Sequence, residues 1–327
     1  MRHISTLASL ALLASLTSTA QAQEARWSSN LGAHLMTAPP SPPHDTDPST
    51  SPADGADITL HAEAYWAELV RLDLAIVDAA APCARGERDQ CGEQVAPHLT
   101  ARAALFGRAV PVWKAIAARA QPSPHREQAR FYLASALLAL GDEAEAATLL
   151  RELVRLRDAS PYSSFAQARL ADFFYQRAAP EVALPIYLSV ASSDHGARPY
   201  GLYMAGWSHA SQGQLPEAMQ LFADAARALD ARPHQIARGR LLDATLDALA
   251  QAYAEIGAPL KTHDFFRRFV SPEHTWTGAL RVARRLAQIG RHRDADDVAR
   301  IIIAGAPTGD PTRELARTLR NRLGAPP

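Results

Sequence analysis

The chain has 327 residues, is 47% hydrophobic, and balances 34 Lys and Arg against 34 Asp and Glu. That apolar content is enough for a large core or a long repeat array. A neutral chain has no global field to steer it onto nucleic acid or anionic lipid, so neither is expected as a partner.

The first residues, "MRHISTLASLALLASLTSTAQAQ", join Arg2, an apolar run over Ile4–Leu16 and a small-x-small site at Ala20-Gln21-Ala22. This is the layout of a secretory signal peptide over 1–22, cut after Ala22. The run is interrupted by Ser and Thr and falls short of the ~20 apolar residues of a spanning helix. A retained anchor is the alternative. No Cys lies near the cleavage site to carry a lipid, and no later segment approaches a membrane span. The mature protein is therefore expected to be exported and periplasmic.

Residues 23–57 include "TAPPSPPHDTDPSTSPADGAD", rich in Pro, Ser and Asp. Such a segment buries too little apolar surface to offset its ordering entropy and is predicted to be a disordered linker. From Ile58 the periodicity is helical, with no period-2 strand run, so the fold class is all-α. "AEAYWAELVRLDLAIVDAA" makes a first helix, and "EQVAPHLTARAALFGRAVPVWKAIAARA" a second stretch expected to bend at Pro111. Between them Cys83 and Cys91 bracket "CARGERDQC". In an oxidising compartment a disulfide is the natural reading, worth roughly 2–3 kcal/mol for so short a loop. Free thiols or half a metal site are the alternatives, and two cysteines with no close His argue against zinc.

Downstream, a pattern recurs. Small residues open successive second helices at Ala146, Ala183, Ala218, Thr262 and Ala295, spaced 37, 35, 44 and 33 residues apart. Five residues before each stands a turn residue: Gly141, Ala178, Gly213, Gly257 and Gly290. Twelve before is a small residue that lets helices approach: Ala134, Ala171, Gly206, Ala250 and Ala283. Four after come Leu150, Tyr187, Phe222, Phe266 and the smaller Ala299, and seven after come Leu153, Val190, Ala225, Phe269 and Ile302. Gly at a helix end takes a left-handed cap without a Cβ penalty, and the small first-helix residue receives the bulk of the second. The 44-residue step predicts longer helices around 234–256.

A helix-pair period near 34 is the tetratricopeptide signature. Over roughly 126–307 these residues resemble the tetratricopeptide repeat family. The resemblance implies a right-handed α-solenoid: a helical cap or diverged repeat over 58–121, about five pairs over 122–307, and a capping helix over 308–327. More narrowly, "SPYSSFAQARLADFFY", "YGLYMAGWSHASQGQLPEAMQLF" and "LAQAYAEIGAPLKTHDFFRRF" are similar to exported tetratricopeptide proteins of Gram-negative envelopes. That set includes outer-membrane assembly and division-coordination factors and, closest in texture, envelope components of myxobacterial gliding-motility machinery. Several members are lipoproteins, and this chain lacks the lipidated Cys.

The family's groove positions fall here on Phe131 and Ser135, then Phe165, Arg169 and Asp172, then Tyr200, Tyr203 and Trp207. Tyr200, Tyr203 and Trp207 form one stripe about 120° around the helix from the face of Leu202, Ala205, Gly206 and His209. They either contact a partner or bury against the next repeat. Arg281, Arg284 and Arg285 share a face, with Arg313, Arg317 and Arg320 beyond, while Asp45, Asp47, Asp54, Asp57, Glu63 and Glu68 lie early in the chain. This asymmetry suits an acidic partner or head-to-tail self-association; a solvated Arg face is the plainer alternative.

No Gly-rich phosphate loop, nucleophile elbow or HExxH pair occurs. His263–Asp264 and the "RHRDADD" run with Asp294, Asp296 and Asp297 read as helix-end chemistry, and Glu143/Glu145 as a solvated helix start. The expectation is a non-catalytic adaptor or scaffold that needs no cofactor or metal and binds other envelope proteins in a concave groove. A glycan- or small-ligand-binding helical module is the alternative in another class.

Overall fold

The structure, a computed structural model, describes residues 58–84, 92–119, 124–193, 196–231 and 236–324. Among these it contains thirteen α-helices, two short 3₁₀ turns and no strand. The helices are α1 (Ile58–Ala84), α2 (Gly92–Ala117), α3 (Pro124–Leu140), α4 (Glu143–Arg155), α5 (Tyr162–Gln176), α6 (Pro180–Ala191), α7 (Arg198–Ser211), α8 (Leu215–Asp230), α9 (Ile236–Ile256), α10 (Thr262–Phe266), α11 (Pro272–Gln288), α12 (His292–Gly305) and α13 (Pro311–Arg322). The signal segment, the linker and Cys91 lie outside the described residues. The second stretch is one helix through both Pro97 and Pro111. None of the described helices is long and apolar enough to cross a membrane.

Four of the five predicted turns are built alike. At α3–α4, Asp142 N–H donates to Leu137 O at 2.8 Å and Gly141 N–H to Leu138 O at 3.3 Å. The same two bonds run from Ala179 to Phe174 and Ala178 to Tyr175, from Gln214 to His209 and Gly213 to Ala210, and from Arg291 to Leu286 and Gly290 to Ala287. This is the Schellman closure, which satisfies two of the carbonyls a helix end leaves open. The geometry demands a left-handed residue, and φ is +90°, +56°, +77° and +80° at Gly141, Ala178, Gly213 and Gly290. Ala178 holds this conformation with a Cβ, which costs about 1–2 kcal/mol. Ala178→Gly is expected to raise stability by about 1 kcal/mol, part of the relief being offset by the greater freedom of the unfolded glycine. Urea unfolding would read this directly, and a loss of stability would mean the Ala178 methyl makes a compensating contact.

The fifth turn departs from the others. Gly257 is not left-handed: its N–H closes onto Tyr253 O at 2.7 Å, and the Tyr253 hydroxyl donates to Ala258 O at 2.8 Å. That phenol holds Ala258 extended, with φ −90° and ψ 114°, and the chain enters a 3₁₀ turn, Pro259–Lys261, before the five-residue α10. The long first helix anticipated from the 44-residue step is present as the 21 residues of α9, but its second helix is short.

The positions aligned across the five predicted pairs lie in the interior. All five small first-helix residues, all five second-helix openers and all five residues four further on are buried. At seven further on, only Phe269 departs; it is half-buried in the turn after α10. The steric fit is direct in α7 and α8, where a Cβ on Gly206 would lie 2.6 Å from Phe222 Cε1.

A further small position, five residues before the first-helix small residue, escaped the sequence reading: Ala129, Ala166, Gly201, Thr245 and Gly278, all buried. At its two glycines it faces the preceding second helix. A Cβ on Gly201 would meet Ala191 N at 2.8 Å, and one on Gly278 would meet Phe266 Cδ1 at 2.3 Å. Gly278→Ala should cost about 1–3 kcal/mol by overpacking, outweighing the helix-propensity gain of up to about 1 kcal/mol. Combining it with Phe266→Leu should recover much of that loss; simple addition of the two costs would show that the ring is not the obstacle.

The chain divides into two compact units, one ending at Gly201 and the other beginning at Leu202, inside α7. Within the first, α1 to α6 pack in sequence along α1–α2, α2–α3, α3–α4, α4–α5 and α5–α6, while α1 meets α3 and α3 meets α5. Within the second, α8 packs on α9, α9 on α11, α11 on α12 and α12 on α13, with α11 also against α13.

Candidate functional site

The aromatics proposed to line a groove are interior. Phe131, Phe165, Tyr200, Tyr203 and Trp207 are all buried. Phe131 packs on Tyr132 and Phe165 with ring centres 5.5 and 6.2 Å apart. Trp207 lies edge-on to Phe222 at 5.5 Å, and Tyr203 reaches Phe222 at 5.9 Å. The expectation that the stripe on α7 faces a partner is corrected on this point. From Leu202 to Ala210 every residue except His209 is buried, so both the packing face and the aromatic stripe point inward. The sequence carried a signal for this: α7 has no Asp, Glu, Lys or Arg after Arg198, and a helix apolar all round belongs inside.

Arg169, Asp172 and Tyr200 are brought together, though in the core rather than on a surface. Tyr187 and Tyr200 both donate their hydroxyls to Asp172 Oδ1, at 2.6 and 2.7 Å. Arg169 Nη1 donates to Oδ2 at 3.3 Å. Asp172 is 1% exposed and Arg169 6%. Burial pushes the Asp172 carboxyl above its ordinary range, against the opposing pull of Arg169 and the two phenols. Burial, reinforced by the charge of Asp172, holds the Tyr187 phenol well above its own, so it stays a donor. Tyr187, anticipated only as a packing residue, supplies the polar contact that spacing along the chain could not reveal.

The predicted arginine face is engaged within the chain. Arg281 on α11 reaches Asp243 and Asp247 of α9 at 2.7 and 2.5 Å, and Arg285 lies 3.9 Å from Glu255. Arg284 is half-buried beside them. These pairs lie between two packed first helices and weaken the expectation of a free basic patch for an acidic partner. Further on, Arg320 reaches Asp296 at 2.6 Å and Arg317 reaches Glu314 at 3.1 Å.

One constellation has the composition of a nucleophilic triad. Ser271, His274 and Asp230 are within bonding distance, with His274 Nδ1 2.5 Å from Asp230 Oδ1 and 3.1 Å from Ser271 Oγ. A relay needs the acid and the nucleophile on opposite ring nitrogens, whereas here both meet Nδ1. Asp230 instead accepts from Ser271 N–H at 2.7 Å and Ser271 Oγ at 3.1 Å. The last residue of α8 thus caps the start of α11 across 41 residues of chain. His263 stacks on Trp276 at 4.1 Å, and Asp294 and Asp297 pair with Arg291 and Arg300. Among the described residues no group of three or more His, Cys, Asp or Glu is placed to hold a metal ion. The Cys83–Cys91 pairing falls outside the described residues.

Comparison with known protein families, curated proteins and solved structures finds no match to this chain.

Proposed function

We propose that the protein is a non-catalytic adaptor of the tetratricopeptide type, exported to the periplasm, that binds other proteins of an envelope complex. The observation that carries this reading is the fourfold recurrence of one helix-hairpin turn over equivalent buried positions. Tetratricopeptide arrays as a class present extended preformed surfaces, which suit peptide or helix partners. Motility-type machinery remains the preferred setting, on the resemblance of the α5, α7 and α9–α10 segments.

Because the groove aromatics are interior, the contact surface must be sought on exposed side chains. Val182 and Leu188 on α6 are exposed, and Glu181 is that helix's single charged residue. The test is a crosslinking pull-down of the full exported protein from its native envelope, beside a Val182→Arg/Leu188→Arg variant of unchanged thermal stability. Capture of a discrete protein set that the variant loses is the expected result. Identical sets from both baits would remove α6 from the reading, and capture of glycan with no protein would overturn the adaptor.

A further inference from the structure

Three helices converge on one carboxylate. Asp172 sits on α5, Tyr187 on α6 and Tyr200 on the first turn of α7. We propose that this cluster is a proton-accepting latch, which makes the α5–α6–α7 junction hold more tightly in acid than at neutral pH.

The geometry gives the two oxygens different roles. Both phenols bond Oδ1, at 2.6 and 2.7 Å, leaving Oδ2 to Arg169 at 3.3 Å. A charge-assisted bond of this kind is ordinarily about 2.7–2.9 Å, so Arg169 compensates Oδ2 weakly for the water it has lost. A proton taken from solvent onto Oδ2 leaves both phenol bonds in place. The groups facing the carboxyl are Arg169 from α5, Tyr187 from α6 and Tyr200 from α7, with Tyr175 of α5 facing Tyr187. The Tyr187 phenol, held well above its ordinary range by burial, acts as a neutral donor throughout.

The sign follows from linkage. Burial is the largest influence on Asp172 and raises its carboxyl in the folded chain above the ordinary 3.8. Folding therefore takes up a proton in the window above that value. The stability gained is complete below the ordinary value and is lost as pH rises through the folded one. Glu68 on α1 works in the opposite sense, since its hydrogen bond from Arg71 lowers it. Comparison with a variant that changes Asp172 alone cancels that contribution.

The experiment is urea unfolding of the full exported chain from pH 4 to 8, wild type beside Asp172→Asn. The ratio of their folding constants is expected to fall with rising pH by up to tenfold per unit inside the window and to be flat outside it. A ratio constant across the range, or one rising with pH, overturns the latch. If Asp172→Asn does not fold, Tyr200→Phe serves. It keeps the carboxyl but removes one donor to the ionised form, so the window is expected to move to higher pH, and an unmoved window overturns the proposal equally.

Discussion

Trp207→Ala is expected to lower stability by about 3–5 kcal/mol, the range for removing a large buried aromatic. Trp207 is 4% exposed and packs edge-on against Phe222, itself seated over Gly206. Removal leaves a cavity beside Phe222 and Tyr203 and forfeits edge-to-face contacts worth about 0.5–1.5 kcal/mol beyond the area they bury. Denaturant unfolding is the measurement. A partner-contacting Trp207 would instead show lost capture with stability nearly unchanged. In a cycle with Phe222→Ala, a coupling of roughly 0.5–3 kcal/mol is expected because the two rings share one cavity.

Asp172→Ala should be of similar size, about 3–5 kcal/mol, for a different reason. The substitution removes one buried charge and leaves the Arg169 guanidinium and two hydroxyls without the acceptor they share. The cost is thus the desolvation of what remains, more than the bonds lost. An apolar replacement of the whole cluster separates the two. Arg169→Met, Asp172→Leu, Tyr187→Phe and Tyr200→Phe together should recover most of the loss, since well-packed apolar groups often equal a buried ion pair. A combined variant as unstable as Asp172→Ala would show that the cluster contributes by its own attraction. The Asp172 part of the wild-type pH dependence should vanish in the combined variant, while the opposite contribution of Glu68 persists.

The hairpins were legible because each rests on short-range rules. A left-handed turn residue, a small residue on one helix and a bulky one on the next lie within about twenty residues, the range over which periodicity reports faces reliably. The aromatic stripe on α7 was legible as a second face, but its direction was left open between a partner and the interior. A helical wheel gives the angle between two faces without saying what covers either, and Tyr203 and Trp207 are covered by Phe222. Asp172 shows the same limit more sharply. Its partners stand 15 and 28 residues away on two other helices, and no periodicity links a carboxylate to phenols across such intervals. The arginines of α11 were assigned to one face correctly, yet their acids, Asp243, Asp247 and Glu255, come from α9 and become partners only once the helices pack.

The cap that Asp230 places on α11 has a consequence for the order of events at the ribosome. At roughly 5–20 residues per second, Ser271 is made some 2–8 s after the carboxylate that will bond its amide 41 residues away. Throughout that interval α8 carries an acidic group at its negative end with no partner from α11, so its last turn is at its weakest while α9 and α10 emerge. When Ser271 docks, its amide and hydroxyl both bond Asp230, relieving that end and seating the start of α11 after the enlarged third step. A nascent chain halted before Ser271 should accordingly fray at Asp230, and a chain released a few residues later should not.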